Sequence, residues 1–143
     1  MDRTFEERLA EIQSKMILAC MDYADNRAER VYIYASREGR CTSAHFFFKV
    51  NGRVVDRNEP GEGYDVSEDR QSACLGKLRA CIREADHVCK EYGKDMPTEM
   101  KIVYNAENDK TDIAYRYDLV YSNKRNKSDY DVAEEWFEEM QKA

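Results

Sequence analysis

Two histidines and five cysteines are the side chains of this chain best suited to nucleophilic or metal chemistry. A Cys/His nucleophile needs its partners within hydrogen-bond reach. His87 and Cys89 are neighbours in sequence, but two positions apart on a helix they project to different sides. His45 stands in an alternating segment beside Phe46. The cysteines, Cys20, Cys41, Cys74, Cys81 and Cys89, are odd in number and none forms a C-x-x-C pair, so neither a zinc site nor a redox motif is signalled. Cys74, Cys81 and Cys89 fall instead on the apolar stripe of one helical segment, where Cys serves as a small apolar residue. Reduced structural thiols, as in the cytoplasm, are the reading. Gly61-Glu62-Gly63 lacks the third glycine and the strand–turn–helix context of a phosphate loop. The 29 Asp and Glu residues make coincidental pairs inevitable and single out no general acid or base. No catalytic residue, cofactor site or metal site is expected, and the chain reads as a binder.

Charge and aromatics say what kind of binder. Net charge is −6 and the pI about 5.1, whereas a nucleic-acid-binding domain is more often basic. Direct binding to nucleic acid is therefore not expected. From Asp129 to Lys142 the chain holds Asp129, Asp131, Glu134, Glu135, Glu138 and Glu139 against Lys142 alone. Six acids minus one base is −5, so almost all the net charge lies in this last segment. The plain reading is a solvated face; the sharper one is a lure for a basic partner. Trp136 and Phe137 inside the acidic run are candidate apolar anchors, although Trp136 is equally suited to docking its helix on the core. Ten tyrosines include Tyr32 and Tyr34 on a strand, with the apolar body and polar tip that favour interfaces. Tyr32, Tyr34, Glu135, Trp136, Glu138 and Glu139 are the candidate partner contacts. The competing reading is a small-ligand module whose Tyr-rich sheet face forms a pocket.

The elements that must carry these residues are legible from periodicity. Ser67 to Tyr92 is the central helix: Ser67 is placed to cap it, Glu68 and Asp69 occupy the first turn, and Gly93 and Pro97 stop it. Cys74, Leu75, Leu78, Cys81, Ile82, Ala85, Val88, Cys89 and Tyr92 form its apolar stripe. Gly76 interrupts this helix and suggests a close approach to another backbone. Thr4-Phe5-Glu6-Glu7 has the form of a capping box that opens a first helix running to about Asn26. Arg30–Glu38, Cys41–Val50 and Arg53–Asp56 alternate as strands, the last two joined by Asn51-Gly52, a strong hairpin signal. Thr98–Asn105 and Thr111–Asp118 form a second strand pair, and Ser128 caps a last helix to about Lys142. The order is α-β-β-β-α-β-β-α over one domain, residues 1–143. Short hairpins imply an antiparallel sheet of about five strands, and helices on one face give a two-layer α+β fold. No apolar run approaches the roughly 20 residues of a membrane span. The N-terminus lacks a signal-peptide core, which agrees with a cytoplasmic protein.

The string Glu29-Arg30-Val31-Tyr32-Ile33-Tyr34-Ala35, following an N-terminal helix, resembles the first strand of the YezG-type antitoxin family, which includes EsaG-like members. Pro97-Thr98-Glu99-Met100-Lys101-Ile102 and Asp112-Ile113-Ala114-Tyr115-Arg116-Tyr117-Asp118 resemble that family's paired C-terminal strands. The likeness spans roughly Phe5 to Asp118, with Asn108-Asp109-Lys110-Thr111 where a Gly-Lys type turn is the family pattern. It implies a small cytoplasmic immunity protein without enzymatic activity. Such a protein binds a cognate toxin domain, often a nuclease, and blocks it. A nuclease carries a basic groove for phosphates, which an acidic binder would plug.

Overall fold

In the computed structural model, which describes residues 3–143, the chain runs α1 (Phe5–Tyr23), β1 (Arg30–Glu38), β2 (Cys41–Val50), β3 (Arg53–Asp56), α2 (Glu68–Glu91), β4 (Glu99–Asn105), β5 (Lys110–Arg116) and α3 (Asp129–Lys142). This is the expected α+β order. The five strands form one antiparallel sheet in the order β3-β2-β1-β4-β5. Asn51 (φ 52°) and Gly52 (φ 75°) both take the left-handed conformation that the β2–β3 turn requires. β1 is central, with Ile33 opposite Phe46 on one side and Ile102 on the other.

Local chemistry sets the helix ends. The Ser67 hydroxyl accepts from the Arg70 amide at 3.3 Å. At the far end Gly93 (φ 66°) turns the chain, the Gly93 amide donates to the Lys90 carbonyl and the Lys94 amide to the Cys89 carbonyl, the paired bonds of a Schellman motif. α1 stops at Tyr23, short of Asn26, because Asp25 and Asn26 both adopt positive φ. β5 is shifted towards the N-terminus relative to Thr111–Asp118. Asp109 (φ 55°) starts it earlier, and the Thr98 hydroxyl, bonded to the Arg116 and Asp118 carbonyls, draws the chain out of the sheet after Arg116.

Gly76 meets nothing within 4 Å of the position its Cβ would occupy, so no close approach explains it. Gly76→Ala should therefore raise stability, by about 0.5–1 kcal/mol. Chemical denaturation would read this as a higher midpoint at unchanged m-value.

The helices do not all lie on one face. α1 and α2 cover the face presented by Val31, Ile33, Ala35, Phe46, Phe48, Met100 and Ile102, with Met16, Cys20, Leu78, Ile82 and Val88 from the helices. α3 covers the opposite face, where Tyr32, Tyr34 and Phe47 meet Val132, Ala133 and Trp136. The sheet is thus sandwiched, and the domain has three layers where the sequence suggested two. The physical reason lies in β1: all residues from Val31 to Ser36 are buried, so both of its faces need cover. Among the described residues, no helix is long and apolar enough to cross a membrane.

Candidate partner-binding surface

α3 carries the acidic run, and its first turn is tightly set. The Ser128 hydroxyl accepts from the Asp131 amide at 3.3 Å, and the Asp131 carboxylate accepts from the Ser128 amide at 2.9 Å, a reciprocal capping box. His45 Nε2 donates to the Asp129 carboxylate at 2.7 Å, tying β2 to the start of the helix. His45 is thus a strut between two elements. His87 is exposed while Cys89 is buried, so the two do point apart.

The helical period then sorts the candidates. Trp136 is 5% exposed and Tyr32 and Tyr34 are 4% and 0% exposed. These three are not available as partner contacts, and here the sequence expectation is corrected. Tyr32 stacks on Phe47 at 4.7 Å between ring centroids, and Trp136 meets both rings edge-on at 5.9 and 5.1 Å. The Lys101 ammonium lies 5.5 Å from the Trp136 ring. Aromatic burial of this kind is large and geometrically selective, so the rings close on each other. Tyr32 shows only an edge to the open groove beside Arg30, Lys49, Arg53 and Met140. Tyr34 is more deeply placed: its hydroxyl is buried without a hydrogen-bond partner. Burial first, and the nearby Glu99 charge second, push its ionisation well up, so it stays a neutral phenol.

Glu135, Glu138 and Glu139 do face solvent. Glu135 pairs with Lys127 at 3.0 Å, an exposed contact of small energetic weight. Glu134, half-buried on the flank of the helix, has its carboxyl pushed up, by burial first and then by the charges of Asp56 and Glu138. Asp56 and Glu138 thus add like charge beside Glu134, while Arg125 and Lys127 line the groove next to Glu134, Glu135 and Glu138.

One side chain that positions α3 escaped the sequence reading. Glu38, at the end of β1, is 3% exposed. Its carboxylate accepts from the Val120 amide at 2.9 Å and the Ser122 amide at 3.0 Å. Beside it the Ser36 hydroxyl donates to the Tyr121 hydroxyl at 3.0 Å. These bonds pin the segment between β5 and α3 across the sheet end and so aim α3 at its face. Burial pushes the Glu38 carboxyl up, but the donors from Ser122, Val120 and Tyr121 outweigh it and hold the group below the ordinary glutamate range. A lone Glu at a strand end carries no sequence signal for such a role.

The five cysteines are free thiols, buried except Cys41. Burial pushes the Cys81 and Cys89 thiols up, which makes them poor nucleophiles. Among the described residues no cluster of His, Cys, Asp and Glu is arranged to hold a metal ion. Compared with protein-family models and with curated proteins, the chain matches none.

Proposed function

We propose that this chain is an immunity-type antitoxin, acting in the cytoplasm as a binder and not as an enzyme. It would neutralise a cognate toxin domain, a nuclease, by laying the acidic face of α3 over the toxin's basic substrate groove. The observation that carries the reading is the crowded carboxylate face of α3. Glu135, Glu138 and Glu139 are exposed, and the Glu134 carboxyl beside them is pushed up by burial first and then by Asp56 and Glu138. A basic surface would gain Coulomb attraction there and remove repulsion at the same time. The resemblance of the β1, β4 and β5 strings to an antitoxin family adds a second, independent support. Trp136 enters only indirectly, as the residue that holds the helix in place.

A pull-down with the intact chain from its own cell's lysate at low salt, followed by mass spectrometry, would identify the partner. The expected partner has a small basic domain whose activity is lost when the chain is added. In stopped-flow association, Glu135→Lys with Glu138→Lys should slow binding by about tenfold or more at low salt, and the difference should shrink as salt rises. Association indifferent to both salt and these charges would remove α3 from the interface.

A further inference from the structure

β5 is the long open edge of the sheet. Among the described residues it pairs only with β4, while the opposite edge is β3, four residues long and flanked by α3. An edge strand of seven residues is a template for another strand, and charges placed along it usually prevent pairing. Here the order of the charges does the reverse. The string Lys110-Thr111-Asp112-Ile113-Ala114-Tyr115-Arg116-Tyr117-Asp118 is complementary to itself when read backwards. We propose that two copies of this chain pair antiparallel through β5, about a two-fold axis at Ala114, to form one continuous ten-stranded sheet.

In that register Asp112 of one copy lies opposite Arg116 of the other, twice over. Lys110 of each copy falls beside the end of the other's strand, where Asp118 lies just beyond β5. Ile113 faces Tyr115 across the axis. A two-fold axis perpendicular to the sheet keeps each residue on its own face, so only registers centred on a residue are allowed. The neighbouring ones fail. Centring on Ile113 sets Lys110 against Arg116, and centring on Tyr115 pairs only Ala114, Tyr115 and Arg116 within the seven-residue strand. Like charges directly opposite are destabilising, so the charges and the strand length select one register and one partner strand.

The two faces of β5 agree with this. Ile113 and Tyr115 lie on the side of α1, opposite Ile102 and Met100 of β4. Tyr115 and Tyr117 are 40% and 60% exposed, and with Phe5, Leu9 and Pro97 they wall an apolar groove of about 400 Å³. Pairing would bring Ile113 of the second copy to this rim. On the other side Lys110, Asp112, Ala114 and Arg116 are all exposed, because α3 packs over β2 and β3 at the far side of the sheet. Arg116 is held in the single chain by Asp118, at 2.8 Å, an exposed contact that can be exchanged for Asp112 of the second copy. The arrangement leaves the acidic face of α3 uncovered.

Sedimentation of the full chain over a concentration series tests the proposal. A monomer–dimer equilibrium that weakens in high salt is expected. Asp112→Lys and Arg116→Asp should each weaken dimerisation by at least about tenfold, since each turns two attractive pairs into repulsive ones. The double variant D112K/R116D should recover the dimer. An equimolar mixture of the two single variants should form a heterodimer, because the opposite charges then meet across the axis. Misfolded single variants would not rescue each other, so the mixture separates a lost interface from a lost fold. A wild-type chain that stays monomeric at every concentration would overturn the proposal. So would dimers indifferent to both reversals, or single variants that fail to rescue each other.

Discussion

Trp136→Ala should cost this protein about 3–5 kcal/mol of stability, the range for truncating a buried aromatic ring. Against the roughly 5–15 kcal/mol of a typical domain, that is a large fraction. α3 buries only Val132, Ala133 and Trp136, and the first two are small. The indole is the one fully buried large group joining the helix to Tyr32 and Phe47, beside the half-buried Phe137, which meets Phe47 edge-on at 5.0 Å. Without it the helix loses its most deeply buried contact, and Tyr32 and Phe47 face a void. Val132, Ala133 and the half-buried Phe137 and Met140 then have to hold a 14-residue helix that is marginal on its own. Urea denaturation followed by far-UV circular dichroism would show the midpoint falling. Near-UV signals would show the aromatic cluster loosening. Trp136→Phe should recover about half of the loss by keeping an edge-on ring against the cluster. A cost below about 1 kcal/mol for Trp136→Ala would contradict the packing described for this face.

Glu38→Ala should be the next most damaging change, at about 2–4 kcal/mol at neutral pH. The substitution leaves the buried Val120 amide without its acceptor and frees the more exposed Ser122 amide, and an orphaned buried donor costs about 1–3 kcal/mol. The effect depends on pH in a definite direction. The folded-state pKa of Glu38 lies below its unfolded value. The carboxylate therefore contributes its full stabilisation above the unfolded pKa, near pH 4.3. That contribution disappears as pH falls through the folded value, because the unfolded chain then binds the proton more readily. Denaturation midpoints from pH 7 to pH 3 should show the wild type losing its advantage over Glu38→Ala in this acid window. Parallel curves at all pH values would mean that Glu38 does not act through its charge. Glu38→Gln should fall between the two, since its carbonyl still accepts one amide while its NH₂ group opposes the other.

These two residues also mark the boundary of what could be read from the chain. The strand and helix order follows from local periodicity and turn chemistry. Asn51-Gly52 demands a tight turn, Ser67 and Gly93 demand helix ends, and Cys74 to Cys89 demand one buried stripe. All of these depend on residues within a few positions of one another. The exposure of Glu135, Glu138 and Glu139 was legible for the same reason, because the helical period places them away from the apolar stripe of Val132 and Trp136. The side of the sheet that α3 covers was not legible, since an apolar stripe does not name its partner. A signal was nonetheless present. Val31 to Ala35 and Phe46-Phe47-Phe48 are continuous apolar runs, and such runs belong to strands covered on both faces. Read in that way, Tyr32 and Tyr34 become core residues, not partner contacts.

The sequence by itself therefore determined the elements, their order, the antiparallel sheet and the acidic face of the last helix, because short-range stereochemistry and charge count decide those. The tertiary structure alone decided that α3 closes the second face of the sheet over Tyr32, Phe47 and Trp136. It alone decided that Glu38 reaches Val120 and Ser122, and that β5 is left as the open edge. Each of these joins residues far apart in the chain, through packing and desolvated hydrogen bonds whose energies exist only once the sheet has brought the two ends together.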